Sequence, residues 1–439
     1  MLFAHPAQPA RRVRLAYCMN LHAADDLAGT RAGIERITVP LARRFEAAEL
    51  AQGFGVGVYL PAHVALALAA GGEDSADVLS LRDFLHAEHL DPFTFNAFPY
   101  GGFHREGLKE NVFRPTWRAP ERMAYTLAGA RLAAVLLGDV DEARHVSVST
   151  HTGSFAEWVR TEDERNEIAE AFALCAVHLA QVEADTGRRV VLALEPEPRS
   201  LAGDTSELPP LFERIWFRAR EAIGGGDAEA RHAAEELARR HVGSCLDTCH
   251  AAVEFEDPEE ALAQAIHGGA ALGKLQFSSA LRLEDPRHSA RERDELLALA
   301  EPVYLHQVTG RRGDELLRVR DLPELASALE TDARWLDCDE WRCHFHVPVD
   351  LDDVGEAGRP RLGTTRAHAD RLLDALLARP AAWTTDELHV EIETYTWDVL
   401  PAPARGDGDL VDGLEREYRH VIGRLEAAGW HALRRSERP

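Results

Sequence analysis

The feature that most constrains the fold is a repeated alternation of short apolar runs with longer amphipathic stretches. The amphipathic stretches, such as Glu121–Leu137, Glu162–Thr186 and Thr365–Leu377, carry apolar residues at helical spacing. Strands and helices that alternate in this way build a parallel sheet covered by helices. The predicted strands are Val13–Met19, Phe54–Leu60, Thr94–Phe98, His145–Thr150, Val190–Glu195, Val242–Asp247, Leu275–Ser278 and Leu388–Glu393. This pattern predicts an α/β fold, a (β/α)8 barrel formed by a single domain over residues 1–439.

One interval is too long for a single helical crossover, the one between Ser278 and Leu388. It predicts an insertion at about 279–365, between the seventh and eighth barrel strands. Two strand-like runs lie in it, Val303–Val308 and Arg342–Val349. We expect them to pair as a hairpin above the barrel mouth or to complete a small local sheet.

Acidic residues and histidines stand where several predicted strands end. Glu195, Asp247 and Glu393 each close an apolar run, His151 follows the fourth strand, and His250 follows Asp247 in the next loop. Barrels of this kind keep their chemistry at the C-terminal ends of the strands, so these side chains are expected to share one cavity. Buried carboxylates that share a cavity need a cation or protons to compensate their charge, and a divalent metal ion is the simplest explanation.

Further polar residues surround this predicted nucleus. Gln276 lies on the seventh strand, and alternation along Arg342–Val349 places His344 and His346 on one face. Carboxylates combined with imidazoles favour Zn or Mn over Ca. A Gly-rich aromatic loop, Tyr100–His104, and Lys109 beyond it either wall a substrate pocket or form an ordinary packed loop. The predicted metal ligands are Glu195, Asp247, His250, Gln276, His346, Glu393 and His151.

Composition excludes some functional classes. A net charge of −25 opposes nucleic-acid binding, which depends on Lys and Arg contacts to phosphates. No run of about 18 apolar residues predicts a membrane helix, and residues 1–12 lack the apolar core of a secretory signal. We therefore expect a cytoplasmic protein that acts on a small metabolite and does not insert into a membrane.

These residues resemble those of the xylose-isomerase-like barrel superfamily, and within it the EboE metabolite-traffic family. The resemblance covers nearly the whole chain. The runs that carry it are Tyr17–His22, Asn96–His104, Leu194–Pro198, Leu246–His250 and Cys343–His346.

The resemblance implies ligand positions at Glu195, Asp247 and Glu393. The Asp-x-x-His spacing of Asp247 and His250 is similar to a motif that supplies zinc ligands in endonuclease IV, and His151 and His346 fall at positions similar to its further ligands. Gln276 stands where the superfamily usually has a histidine, which favours one metal ion over two or three. The family is associated with secondary-metabolite precursors and implies a prenyltransferase-like membrane protein as a partner.

Three functions fit this sequence. In the first, a metal-dependent isomerase, epimerase or lyase uses Glu195 and Glu393 to move a proton next to a carbonyl group, with His250 orienting or donating. The second is metal-assisted phosphoester hydrolysis of the endonuclease IV type, and the third is a non-catalytic barrel that binds and delivers a metabolite.

Overall fold

The fold combines a parallel barrel with a second, antiparallel sheet. The computed structural model describes residues 1–102, 107–137, 144–355, 361–398 and 409–437. The strands are β1 (Leu2–His5), β2 (Gln8–Cys18), β3 (Phe54–Tyr59), β4 (Leu90–Asn96), β5 (His145–His151), β6 (Arg189–Glu195), β7 (Val242–Asp247), β8 (Ala271–Phe277), β9 (Ser279–Glu284), β10 (Val308–Arg312), β11 (Glu315–Val319), β12 (Glu340–Val347), β13 (Asp353–Val354), β14 (Leu362–Thr364), β15 (Glu387–Ile392) and β16 (His431–Ala432).

Parallel pairing closes the barrel. Strands β2 to β8 lie side by side in chain order, β15 follows β8, and β15 pairs in parallel with β2 from Glu387↔Arg12 to Ile392↔Tyr17. The predicted (β/α)8 barrel is therefore confirmed. Strand β2 begins earlier than the predicted Val13 because its first residues pair with β1 in an antiparallel ladder, and β16 extends that ladder.

Helices lie in the crossovers between the barrel strands, in the insertion and after β15. The helices are α1 (Leu27–Gly33), α2 (Val39–Arg44), α3 (Ala62–Gly71), α4 (Ala76–Ala87), α5 (Pro120–Leu136), α6 (Glu162–Thr186), α7 (Leu208–Arg218), α8 (Ala228–His241), α9 (Thr248–Val253), α10 (Pro258–Ala265), α11 (Ala290–Ala298), α12 (Leu322–Thr331), α13 (Arg366–Ala378) and α14 (Leu410–Ala427).

Helix α6 has the boundaries that the sequence predicts because both of its ends are capped. Thr161 and Glu164 form a reciprocal capping box at the first turn. Gly187 ends the helix in the left-handed conformation, with φ 69°.

The predicted insertion between the seventh and eighth barrel strands, β8 and β15, is a second sheet. The chain passes from β8 directly into β9, and the sheet has the strand order β11-β10-β12-β9-β14-β13. Its buried apolar residues, including Leu281, Trp335, Trp341 and Phe345, form a core of their own. This sheet carries β12, and with it His344 and His346, to the barrel mouth.

The predicted bounds of the first strand in the insertion are wrong. The strand lies at Val308–Arg312 rather than Val303–Val308, and it pairs antiparallel with β12, with Val308 opposite Cys343. The preceding residues form a turn because the Glu301 carboxylate accepts hydrogen bonds from the backbone N–H groups of Val303 and Tyr304, both at 2.6 Å. The apolar side chain of Val303 faces the barrel cavity instead of a sheet core.

The barrel has an extensive apolar core between its strands and helices. Within the described ranges, no helix combines the length and the apolar character that crossing a membrane requires.

Candidate metal centre

The strand-end carboxylates Glu195, Asp247 and Glu393 meet at the barrel mouth, and we call them the carboxylate cluster. Glu195 and Asp247 are the last residues of β6 and β7, and Glu393 follows β15 directly. One oxygen atom of each lies within 4.8 Å of the others, and all three side chains are buried. Parallel strands of one barrel end at the same rim, so three separate regions of sequence converge on one point.

Among the described residues, no basic side chain pairs directly with this cluster, although the charge of Lys274 lowers the pKa of Glu195 and Glu393 from the layer below. Among the described residues, no Lys or Arg lies within salt-bridge distance of the three carboxylates, whose ion-pair contacts are with His250 and His346. Lys274, two residues before Gln276 and so one layer deeper in the barrel, pairs with Glu391. The buried Oδ2 of Asp247 has no hydrogen-bond partner among the described residues. The Oδ2 atom of Asp247 is therefore available to a cation.

Burial and mutual repulsion alter the acidity of the cluster. Burial raises the pKa of Glu195 well above its usual value, and the nearby charges of Glu393 and Asp247 raise it further. Burial raises the pKa of Glu393 in the same way, with Asp247 adding to the effect. Carboxyl groups shifted in this direction can carry a proton near neutral pH when no metal ion is bound.

Three side-chain amides hold Glu393 in place. Its Oε1 accepts hydrogen bonds from Nδ2 of Asn20 at 2.7 Å and of Asn96 at 3.3 Å. Its Oε2 accepts one from Nε2 of Gln276, whose own Oε1 accepts from the thiol of Cys245 at 2.9 Å. Gln276 was predicted as a ligand. In the structure its nitrogen faces Glu393, so it positions that carboxylate through a hydrogen bond.

Three histidines form a second group, which we call the histidine triangle: His250 from α9, and His344 and His346 from β12. The Nε2 atoms of His250 and His344 are 3.1 Å apart, those of His344 and His346 are 2.9 Å apart, and those of His250 and His346 are 3.3 Å apart. All three rings are buried. The expectation that His344 and His346 share one face holds, and that face meets the barrel at His250.

The opposite ring nitrogens of the triangle contact carbonyl oxygens. Nδ1 of His250 lies 3.0 Å from the carbonyl oxygen of Pro196, and Nδ1 of His346 lies 3.0 Å from that of Glu393. Nδ1 of His344 lies 2.6 Å from Oε1 of Gln307, whose amide nitrogen donates to the carbonyl oxygen of Pro198 at 2.9 Å. An oxygen of this kind can only accept, so each Nδ1 carries the proton and donates it.

Burial favours the neutral form of the imidazole rings in the triangle. Burial lowers the pKa of His346 to about 4, and it lowers the pKa of His344 well below its usual value. Burial also lowers the pKa of His250, against the opposing influence of Asp247. With the proton held on Nδ1, every Nε2 presents a lone pair towards the other two.

His250 connects the two groups. The Asp247 side chain caps helix α9 by accepting from the backbone N–H of Cys249 at 2.7 Å and of His250 at 3.0 Å. Nδ1 of His250 lies 3.6 Å from Oε1 of Glu195, and Nδ1 of His346 lies 3.6 Å from Oε2 of Glu393. The Asp-x-x-His spacing thus places Asp247 in the carboxylate cluster and His250 in the histidine triangle.

His151, a predicted ligand, lies apart from both groups. Its ring packs edge-on against Phe98 and Phe113, with ring centroids 5.2 and 5.4 Å away, and its Nδ1 accepts from the backbone N–H of Gly153 at 3.1 Å. Although His151 stands at the C-terminal end of β5, as the sequence suggests, it does not belong to any group of described residues that could hold a metal ion. These two aromatic rings, both from the connection between β4 and α5, hold the His151 ring apart from the two groups.

A cavity of about 590 Å³, including its open mouth, joins the two groups to solvent. The loop after β4 contributes Phe98 and Lys109 to its wall, and Lys109 is fixed by the carbonyl oxygens of Glu301 and Tyr304, both 2.6 Å from Nζ. His104 of the same loop lies outside the described residues. The apolar part of the wall consists of Phe98, Pro99, Leu108, Val112, Val303 and Leu305.

Sequence reasoning missed several residues of this cavity. Glu197 lines it, and burial raises the pKa of its carboxyl group to about 8. Tyr395 also lines it, with its hydroxyl 3.5 Å from Nε2 of His344. The Glu-Pro-Glu-Pro run after β6 was a usable signal for Glu197 because it places a second carboxylate beside Glu195. Gln307 had no such signal, since its contact with His344 depends on the register of the second sheet.

Comparisons with known proteins show a likeness of fold only. No protein-family model matches the chain, and no curated protein matches it. Among solved structures, the IOLI protein with a binding zinc atom has 12% sequence identity and a TM-score of 0.43, over 95% of this chain and 99% of its own. A D-tagatose 3-epimerase-like protein has 10% identity and a TM-score of 0.44, over 95% and 98%. A xylose isomerase domain containing protein from Salmonella typhimurium LT2 has 11% identity and a TM-score of 0.41, over 94% and 97%.

Proposed function

We propose that the protein is a divalent-metal-dependent enzyme that isomerises or epimerises a small metabolite. The observation that carries this proposal is the carboxylate cluster, whose three buried side chains have no Lys or Arg within salt-bridge distance among the described residues. Two of them, Glu195 and Glu393, line a cavity with a largely apolar wall. Such a cluster costs several kcal/mol unless a cation or protons compensate it. A structural role alone does not account for placing it at the mouth of a barrel.

The residues present fit a bound metal ion. Glu195, Asp247 and Glu393 would hold it, and the unpartnered Oδ2 of Asp247 is a donor that the described protein groups leave unused. Carboxylate oxygens with imidazoles nearby favour Mn or Zn. When bound, the ion supplies a Lewis acid that polarises a carbonyl or hydroxyl oxygen of the substrate.

The protein's own part in the reaction is proton transfer. Glu195 and Glu393 lie on separate strands and face the same cavity, so either can remove a proton from the carbon next to a carbonyl group while the other returns one. Their raised pKa suits this role because proton transfer is most efficient when the pKa of the acid or base lies near the working pH. The amides of Asn20, Asn96 and Gln276 fix the angle of Glu393.

The cavity wall indicates the kind of substrate. Apolar side chains form much of the wall, and the polar groups are gathered at its base around the two groups of ligands. This suits a small molecule with one apolar part and one carbonyl or hydroxyl end. The resemblance to the EboE metabolite-traffic family suggests a precursor of a secondary metabolite as that molecule, with a prenyltransferase-like membrane protein as the partner.

The experiment uses the hydrogen isotope that proton transfer leaves behind. The metal-loaded protein is incubated in D2O with a panel of small hydroxy-carbonyl compounds and with a cell metabolite extract, and deuterium bound to carbon is followed by mass spectrometry. We expect incorporation into one substrate class, and a loss of at least about 100-fold in Glu393→Gln. Glu256→Gln is a matched control, since Glu256 is a carboxyl group with a pKa raised to about 8 by burial that contacts Thr205 and lies outside the cavity.

Other outcomes contradict the proposal. Release of phosphate from simple esters without deuterium incorporation would indicate the phosphoesterase alternative. Retention of a metabolite without chemical change, together with metal content unaffected by Glu195→Gln, would indicate a binding and delivery protein.

A further inference from the structure

A buried ion pair lies in the barrel interior, one layer below the carboxylate cluster. Lys274 on β8 pairs with Glu391 on β15, and both side chains are fully buried. The sequence makes room for this pair, because a Cβ atom at Gly57 of β3 would lie 1.4 Å from Oε1 of Glu391. Apolar side chains of similar volume usually serve a fold as well as a buried ion pair does, or better. Stability alone therefore does not account for these charges.

The ion pair anchors a chain of hydrogen bonds that reaches the barrel mouth. Nζ of Lys274 donates to Oγ of Ser149 at 3.1 Å, and the Ser149 hydroxyl donates to Oδ1 of Asn96. An ammonium group only donates and an amide oxygen only accepts, so the direction of each bond is fixed. The amide nitrogen of Asn96 therefore faces away from Ser149. Its two hydrogens serve Oε1 of Glu393 at 3.3 Å and Sγ of Cys18 at 2.7 Å.

A second, shorter chain reaches the other oxygen of Glu393. Nε2 of Gln276 donates to Oε2 of Glu393. The amide oxygen of Gln276 consequently faces Cys245, whose thiol donates to it at 2.9 Å. Without that thiol the amide oxygen would lose this donor, and the amide could rotate to place its oxygen against the carboxylate. Cys245 thus selects one of the two orientations of the Gln276 amide.

We propose that Lys274 and Cys245 are positioning residues for the proton transfer, each acting through an amide to fix the carboxylate of Glu393. The inference rests on the proposed function, in which Glu393 moves a proton next to a carbonyl group. Such a transfer needs the carboxylate within reach of the proton, and a misplacement of about 1 Å can cost about 100-fold in rate. Donors that hold both oxygens keep the carboxylate at one angle.

The two chains belong to the rigid part of the molecule. Their members all lie on barrel strands: Asn96 on β4, Ser149 on β5, Cys245 on β7, and Lys274 and Gln276 on β8. Groups supported by strands are held more precisely than groups on loops. The angle of Glu393 is therefore set by the barrel itself and does not depend on the loops that form the cavity wall.

The first test removes the ion pair without leaving a charge unpaired. Lys274→Met/Glu391→Leu replaces both charged side chains by apolar ones, so the protein should fold with a urea midpoint no lower than that of the unmodified protein. In the deuterium-incorporation assay with metal-loaded protein, we expect the rate at saturating substrate to fall at least about tenfold. KM should change little, because the cavity wall that contacts the substrate is untouched.

Cys245 allows a matched set of variants. Cys245→Ala removes the donor to Gln276 and should lower the rate at least about tenfold. Cys245→Ser keeps a donor at the same place and should restore most of the rate, which a role in packing alone would not explain. Cys175→Ala is the control, since Cys175 is another fully buried cysteine but lies on helix α6, outside the barrel interior, and should leave the rate unchanged.

Two further measurements do not depend on turnover. Crystal structures of the double variant and of Cys245→Ala should show the Glu393 carboxylate turned from its present angle. The affinity for Mn2+, measured by electron paramagnetic resonance of the unbound ion, should fall at least about tenfold in both variants because Glu393 is a proposed ligand.

These measurements separate the positioning role from the reaction. If no compound exchanges deuterium in the unmodified protein, the proposed function fails, and the angle of Glu393 in the variants still decides the positioning role. An unmoved Glu393 in both variants, or equal rates in Cys245→Ala and Cys245→Ser, would overturn the positioning role and leave the proposed reaction intact.

Discussion

The two ends of the barrel bury charged side chains in opposite ways. At the N-terminal end of the strands, Arg14 donates to Asp91 at 2.6 Å and to Glu387 at 2.5 Å, and Arg144 donates to Asp91 at 2.8 Å. We call these four residues the lower cluster. At the C-terminal end, the carboxylate cluster has no Arg or Lys among the described residues within salt-bridge distance.

The acidity of the carboxyl groups reflects this difference. Burial alone would raise the pKa of Asp91, but Arg144 and Arg14 outweigh it and lower the pKa. Burial likewise opposes Arg14 at Glu387, and the net result is a pKa well below the usual value. Burial raises the pKa of Glu195 and Glu393, and the opposing charge of Lys274 does not outweigh it. The paired charges of the lower cluster stabilise the fold, whereas the carboxylates at the mouth need a bound cation or protons to compensate their charge.

The largest effect is expected from breaking the lower cluster. Arg14→Met removes the cation between Asp91 and Glu387, so that the buried Glu387 loses its main partner and the buried Asp91 loses one of its two arginine partners. We expect the free energy of unfolding to fall by about 3–5 kcal/mol, measured by urea denaturation at pH 7. Arg131→Met is the matched control. Arg131 pairs with Glu73 and Asp185 on the surface, and solvent screens such pairs, so no measurable change is expected.

Unchanged stability in Arg14→Met would show that the lower cluster is no better compensated than the mouth. The contrast between the two ends would then have no energetic basis.

The sequence predicted which residues lie at the barrel mouth better than it predicted what each of them contacts there. Glu195, Asp247, Glu393 and His250 follow apolar strands, and the barrel brings strand ends together whatever the details of packing. His151 satisfies the same rule but turns away, because Phe98 and Phe113 enclose its ring.

Contacts of the second sheet could not be predicted in the same way. The triangle requires β12 to approach α9, which depends on the pairing of β9, β10 and β12 and not on any local pattern. The apolar run Val303–Val308 was predicted as a strand because a cavity wall and a sheet core select the same residue types. Length and hydrophobicity alone do not separate these two uses.

A smaller change in stability is expected when the pH of the metal-free protein is raised. Glu197 has a pKa raised to about 8 by burial, and Glu195 and Glu393 are shifted in the same direction. Their folded forms bind protons more tightly than the unfolded chain, so the stability that they contribute is present below about pH 4.5 and is lost as the pH rises to 8.

We therefore expect the free energy of unfolding of chelated protein to fall by about 3 kcal/mol or more between pH 5.5 and pH 8, of which Glu197 alone supplies about 3 kcal/mol. The lower cluster acts in the opposite direction, because lowered carboxyl pKa values give stability that is lost only as the pH falls below about 4. Added Mn2+ or Zn2+ should remove most of the decline. A decline of equal size with and without metal would place its origin outside the mouth.

The smallest expected change in stability distinguishes the two ends of the barrel most clearly. Removing a charged side chain should stabilise the metal-free protein at the mouth but destabilise it at the lower cluster. Glu195→Gln removes one of three repelling carboxylates while keeping the side-chain volume. In chelated protein at pH 8 we expect it to raise the free energy of unfolding by about 1 kcal/mol. The effect should be smaller at pH 5.5, because burial and the neighbouring carboxylates raise the pKa of Glu195 well above its usual value. In the presence of Mn2+ the order reverses, since the variant loses a ligand and with it the stabilisation that binding confers on the folded state. If Glu195→Gln destabilised the metal-free protein at pH 8 as Arg14→Met is expected to do, the mouth carboxylates would be compensated within the protein, and a bound cation would no longer be required to explain them.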